Sequence, residues 1–111
     1  MMELLLARCR QGHDRAMVAV VYILTNRRHG TLYVGSTTDL PQRVWQHRSK
    51  AVPGFTQRHG VDRLVWFESH DGIETAALRE RQLKKGHRAW KVRLIEESNP
   101  DWHDLYEGLL R

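Results

Sequence analysis

Cysteine is nearly absent from this sequence: Cys9 is the single one, so no disulfide can form within the chain. Stability must come from a packed core, and the expected setting is a reducing compartment, the cytoplasm. Long apolar runs are missing as well, and nothing approaches the ~18 residues that a membrane-spanning helix needs. The run Leu4-Leu5-Leu6-Ala7 is short, follows the acidic Glu3 and has no basic flank before it, so a secretory signal is not expected. Nor is there a P-loop glycine pattern, an H-E-x-x-H, a G-x-S-x-G or a pair of cysteines. Those absences argue against Walker-type nucleotide hydrolysis, serine-hydrolase chemistry and a structural zinc. Internal repeats and low-complexity tracts are lacking too.

What is present suits one small globular domain. The 111 residues, 41% hydrophobic, can hold one core and leave no room for two. Four Trp, three Tyr and two Phe accompany regular Val/Ile/Leu runs, which argues against disorder. Eighteen Lys and Arg against thirteen Asp and Glu give a formal charge of +5. The distribution is uneven. Between Arg79 and Arg93 stand seven cations (Arg79, Arg81, Lys84, Lys85, Arg88, Lys91, Arg93) and one anion, Glu80. Between Glu96 and Glu107 stand five anions and no Lys or Arg. A basic face of this kind suits a polyanion, of which nucleic acid is the commonest in a cytoplasm. A solvated, cation-rich helix would carry the same pattern, so charge supports such a partner without establishing it.

Residues 1–16 show no strand pattern and read as an N-terminal extension: either a weakly ordered helix or the product of an upstream start, with Met17 as the functional beginning. Residues 17–111 read as a single domain. From Val18 to Thr25 the chain is β-branched and apolar on both faces, as a central strand should be. Asn26–Gly30 is a polar hairpin loop in which Gly30 is free to take a positive φ, and Thr31–Ser36 is the partner strand. Asp39 as N-cap, Pro41 in the first turn and Gln42 in the manner of a capping box open a helix over Leu40–Ala51. Arg63–Ser69 is a third strand, and Asp71-Gly72 leads into a helix from Ile73 to Lys85 that Gly86 stops. Arg88–Glu97 reads as another helix, and Asn99-Pro100 precedes a last one over Asp101–Leu109. The expected fold is α+β, a small three-stranded, mostly antiparallel sheet flanked by helices in the order β-β-α-β-α-α-α.

Two helices place polar residues where a core would put apolar ones. At about 100° per residue, the Ile73 helix turns Ile73, Ala76, Ala77 and Leu83 inward, with Leu78 outside. Glu80 falls within that stripe. A carboxylate there requires a compensating charge, either a neighbouring arginine or a metal ion. The Leu40 helix repeats the anomaly, because His47 projects among Leu40, Val44 and Ala51, with Arg43 one turn before it. Arg43 offers a rigid fork for a phosphate and His47 a proton that titrates near neutrality; a lone inward histidine is more often a satisfied core residue, but the arginine beside it strengthens the functional reading. Tyr22 and Tyr33 stand on the two hairpin strands, where tyrosines usually serve packing. Two phenols, an arginine, a histidine and one misplaced glutamate on elements of one small sheet can together orient a phosphodiester, hold a divalent cation and move a proton. Two-metal nucleases would call for several carboxylates, and the inward face shows one.

Val20-Val21-Tyr22, followed by Tyr33-Val34-Gly35, resembles the pair of tripeptides that names the GIY-YIG nuclease superfamily. The similarity continues through Asp39-Leu40-x-x-Arg43-x-x-x-His47 and Arg79-Glu80-x-x-Leu83-Lys84-Lys85. It closes with Ala89-Trp90-Lys91 and Asn99-Pro100-Asp101-Trp102. It spans about Met17 to Leu110 and is nearest to the small, stand-alone, single-domain bacterial branch. The resemblance implies a metal-dependent endonuclease acting on DNA, with one Mg²⁺ or Mn²⁺ per active site held by Glu80. It implies that Tyr22 acts on the attacking water, that Tyr33 lines the site, that Arg43 stabilises the phosphate and that His47 is a further active-site position. Gly35, Asn99, Lys84 and Lys85 are implied to support the site or the substrate, although Asn99 before Pro100 also reads as a plain N-cap. Stand-alone members carry no recognition domain, so a protein partner is one implied source of specificity. The sequence departs from the pattern at Val20-Val21, at Ser36 where some relatives have a lysine, and at Gly86 where many have an aromatic residue. A nucleic-acid-binding module of the same fold with little or no activity is the alternative.

Overall fold

The structure, a computed structural model, describes residues 18–49, 54 and 58–109. The expected N-terminal extension lies outside the described residues, and the first helix, expected to reach Ala51, ends at Arg48 with Ser49 as its C-cap. Strands β1 (Ala19–Thr25) and β2 (Leu32–Thr37) form a hairpin, and helix α1 (Leu40–Arg48) follows. Then come β3 (Arg63–His70), α2 (Ile73–Lys85), α3 (Arg88–Ser98) and the short α4 (Tyr106–Leu109). The element order matches the sequence expectation. The sheet runs β2-β1-β3, and both pairings are antiparallel. No helix among the described residues is long and apolar enough to cross a membrane.

All seven residues of β1 are buried, as its unbroken apolar run requires of a strand covered on both faces. Alternate residues of β1 feed two separate cores. Ala19, Val21 and Ile23 pack with Ala76 and Leu83 of α2, Ile95 of α3 and Trp102. Val20, Tyr22 and Leu24 pack with Leu40 and Val44 of α1 and Leu109 of α4. The sheet is thus the middle of three layers. Burial of α2 begins only at Ala76: Ile73, at the helix's first position, is 55% exposed and does not join the inward stripe.

Two local expectations are corrected. In the hairpin loop the positive φ belongs to His29, at 59°, and not to Gly30. Gly30 is needed for close approach instead, because a Cβ there would stand 1.9 Å from the Asn26 Oδ1 that accepts the Thr31 N–H. The second correction concerns the C-terminal segment. The expected helix over Asp101–Leu109 shrinks to Tyr106–Leu109, and the chain from Asn99 to Leu105 runs beside β3. The cause is the free edge of that strand. Pairing with β1 shifts register between Ile23 and Leu24, so Val65 is an extra residue, and Val65 and Trp66 both enter the α2-side core. The Val65 carbonyl accepts the Asn99 side-chain amide at 3.1 Å. Leu64 bonds through its carbonyl to the Leu105 N–H at 2.8 Å and through its N–H to Asp104 Oδ1 at 3.3 Å. These bonds use the backbone groups that an edge strand would otherwise leave open.

At the start of α1, Asp39 Oδ1 accepts the Gln42 N–H, while the Asp39 N–H goes to Thr37 Oγ1, so only half of a capping box forms. Gly86 closes α2 with the Trp90 ring directly against its Cα, where a Cβ would lie 2.3 Å from Trp90 Cε3. That glycine makes a tight junction to α3 and not a loose end.

Asn99 is buried and also accepts the His103 N–H at 3.0 Å while donating to the His103 carbonyl at 2.9 Å. Asn99→Ala therefore leaves three backbone groups without their partner. It should lower the unfolding free energy by about 2–3 kcal/mol, read from denaturant midpoints at unchanged slope. A loss under about 0.5 kcal/mol, the range of ordinary surface changes, would show that the bulge holds without it.

Candidate active site

Tyr22 sits mid-strand in β1 on the α1 side and is 1% exposed. Its partner across the hairpin is Gly35, and the pairing has a steric cause. A Cβ at Gly35 would lie 2.6 Å from the Tyr22 hydroxyl oxygen and 2.7 Å from Cζ, so the phenol crosses bare backbone. The hydroxyl thereby reaches α1, where it meets His47 Nε2 at 3.2 Å. Tyr33 completes the group: its ring centroid is 6.4 Å from that of Tyr22 and 5.4 Å from that of His47. Arg43 stands one turn before His47, and its Nη1 donates to Gln46 Oε1 at 3.3 Å. The i, i+4 spacing on α1 and the strand alternation of the hairpin therefore bring Tyr22, Tyr33, Arg43 and His47 together.

Burial pushes the Tyr22 phenol up to about 12, with hydrogen bonding from Arg43 working against it and the Tyr33 and Glu80 charges adding to the rise. The phenol is a neutral hydroxyl at physiological pH. Hydrogen bonding to Tyr22 raises Arg43 further, so its guanidinium is permanently charged. Burial, then the Arg43 charge, hold the His47 imidazole below the ordinary histidine range. A neutral imidazole beside a neutral phenol can pass or accept one proton.

Glu80 reaches the hairpin from the opposite layer, not from the face that carries the tyrosines. Its Oε1 accepts the Ser36 hydroxyl at 2.5 Å, and its Oε2 pairs with Lys84 Nζ at 2.6 Å. Ser36 follows Gly35 in β2, the edge strand, so the carboxylate arrives beside the residue that faces Tyr22. Burial works to raise the Glu80 carboxyl, but hydrogen bonds from Lys84 and Ser36 and the Lys84 charge outweigh it and hold the group below the usual carboxylate range. Glu80 is thus ionised near neutrality and open to solvent in part, as an oxygen ligand for a hydrated hard cation must be. No group of three or more His, Cys, Asp and Glu that could hold a metal ion occurs among the described residues.

The compensating charge is Lys84 and not the neighbouring arginine, since Arg79 is turned to Glu68 at 3.0 Å. Lys85 is exposed in the last turn of α2. Asn99 makes its hydrogen bonds to the backbone of Val65 and His103, and so braces β3. Sequence reasoning did not single out Gln46 or the Ser36 contact. Gln46 could have been found from its i+3 spacing to Arg43, whereas the Ser36–Glu80 bond joins residues 44 apart and had no local signal.

The His47 shift carries a pH dependence. Folding favours the neutral ring, so the unfolded chain binds the extra proton between the folded value and about 6.5, and stability falls as pH drops through that window. Histidine resonances followed by NMR should show His47 titrating below the ordinary histidine range, and Arg43→Gln should move it upward. An unshifted His47 in both proteins would contradict this electrostatic picture.

Comparison with known proteins agrees with the fold. A family profile described as the GIY-YIG catalytic domain matches residues 18–93. A UPF0213 protein of Syntrophus aciditrophicus is 36% identical over 72 residues, which is 64% of this chain and 82% of that protein. One from Clostridium perfringens is 33% identical over 79 residues, 71% of this chain and 84% of the relative. Among solved structures, the solution NMR structure of a UPF0213 protein from Bacillus halodurans superposes with a TM-score of 0.50 at 28% identity. It covers 82% of this chain and 96% of that one. The tripeptides Val20-Val21-Tyr22 and Tyr33-Val34-Gly35, with the helix positions Arg43, His47 and Glu80, all lie within the matched span, and the chain belongs to the GIY-YIG family.

Proposed function

We propose that this protein is a metal-dependent endonuclease that hydrolyses phosphodiester bonds in DNA with a single divalent cation. The carrying observation is the contact between the Tyr22 hydroxyl and His47 Nε2 at 3.2 Å, beside Arg43. Family membership and the formal charge of +5 support a nucleic-acid substrate. The functional unit on this reading is the single domain 17–111, working in the cytoplasm.

Arg43 receives the phosphoryl oxygens and neutralises the charge that grows on them. Tyr33 lines the approach to that position. The attacking water gives its proton to the Tyr22 oxygen as Tyr22 passes its own proton to an unprotonated His47 Nε2; the new P–O bond forms and the bond to the leaving oxygen breaks. A phenol near 12 is too reluctant to ionise to act as the base alone, so His47 is the net acceptor. Glu80 is the residue that would hold Mg²⁺ or Mn²⁺, one carboxylate sufficing for an ion that keeps most of its water. Bound there, the cation supplies stabilisation of negative charge at the leaving oxygen. Gly35 keeps the phenol's path open, Lys84 and Lys85 offer charge to the phosphates, and Asn99 braces β3.

One observation favours the rival reading, a nucleic-acid-binding module with little activity. Burial raises Tyr22 rather than lowering it.

Cleavage of labelled duplex, nicked, flapped and single-stranded DNA and of RNA, with Mg²⁺, Mn²⁺ or EDTA, separates the two. Glu80→Ala should abolish metal-dependent cleavage, a fall of at least about 100-fold, while nucleic-acid binding persists. Tyr22→Phe should lower the rate by about 100-fold at unchanged fold, measured as single-turnover cleavage. Salt-sensitive binding with no cleavage under any metal would establish the binding module instead.

A further inference from the structure

Both oxygens of Glu80 are engaged by this chain's own donors. The Ser36 hydroxyl holds Oε1 at 2.5 Å, and the Lys84 ammonium holds Oε2 at 2.6 Å. The two donors differ in how firmly they are placed. Ser36 belongs to a paired strand and fixes the carboxylate's orientation against β2. Lys84 sits one turn further along α2, in the favourable glutamate-before-lysine order, at the end of a flexible stem that is 51% exposed, against 21% for Glu80. An ion pair of that exposure is weak, so water releases it readily.

We infer that Lys84 is a built-in counter-ion that occupies the Oε2 side of Glu80 until a divalent cation takes it, so that metal loading is an exchange of one cation for another. The inference rests on the reading of Glu80 as the cation ligand and adds what governs its affinity. The monovalent ammonium compensates the half-buried carboxylate in the metal-free protein and thereby keeps it ionised and oriented. A divalent ion arriving at Oε2 must displace it, which weakens apparent metal affinity by the strength of the pair. The freed ammonium remains within one helical turn of the site and is then open to a phosphate oxygen. The same pairing explains why a lysine offered to the phosphates lies beside the one carboxylate that the hydrolytic steps need.

The test is Mn²⁺ binding to the full chain, read from the loss of the free-ion electron paramagnetic resonance signal, with no substrate present. Lys84→Met should tighten binding by about three- to fivefold, the factor that matches about 1 kcal/mol. Lys84→Arg keeps the charge and should bind like the unaltered protein, and Glu80→Gln should lose the site. Far-ultraviolet circular dichroism of each variant confirms the fold. Equal or weaker binding by Lys84→Met, with Glu80→Gln still deficient, overturns the counter-ion role and leaves the cation ligand standing. Full binding by Glu80→Gln, or none by any protein, overturns the cation ligand and the exchange with it.

Discussion

A tyrosine on a strand buried on both faces must find a partner for its hydroxyl inside the protein, because a buried polar group left alone costs about 1–3 kcal/mol. In this fold the partner is His47, 25 residues away on α1. Much of the site follows from satisfying that bond. The phenol can reach the helix only by crossing β2, so the residue opposite must have no side chain, and it is Gly35. The histidine must point inward among Leu40 and Val44, which sets the rotation of α1 and carries Arg43 to the phenol. The Asp39 cap and Pro41 fix where that helix begins. A structural requirement and a chemical arrangement are met by the same contacts.

The two-sided burial of β1 also separates the charged parts. Phenols, imidazole and guanidinium share one face, while the carboxylate comes from the layer beneath and meets the sheet at its β2 edge through Ser36. Glu80 therefore influences Tyr22 through its field and holds its own hydrogen bonds elsewhere. Such a division keeps the carboxylate ionised and the imidazole neutral, the protonation states that cation binding and proton acceptance need.

At the other edge the task is protective. The extra residue Val65 bends β3 and exposes its carbonyl, and the segment from Asn99 to Leu105 lies along the strand to take up what the bulge leaves open. Trp102 anchors that segment: its side chain is fully buried in the α2-side core, and its indole N–H donates to Glu96 at 2.8 Å. Its backbone holds a φ of 58°, a strained value for a tryptophan that the buried ring makes tolerable.

The order of elements, the antiparallel hairpin, the start of α1 and the inward projection of His47 and Glu80 were legible in the sequence, because each rests on local periodicity or capping. The tripeptides and the spaced Arg43, His47 and Glu80 also disclosed the family, since a motif is a local record of the chain. Other features were not legible. Nothing near Gly30 shows that its value is room for Asn26 and not a positive φ, and a helix over Asp101–Leu109 looks sound until β3 presents an edge to be covered. The partner of Glu80, the face from which it arrives and the burial that raises Tyr22 depend on contacts between residues far apart in the chain. Local sequence determines which conformations a segment prefers. Only the packed structure decides which groups lose their water and whose charge they then feel.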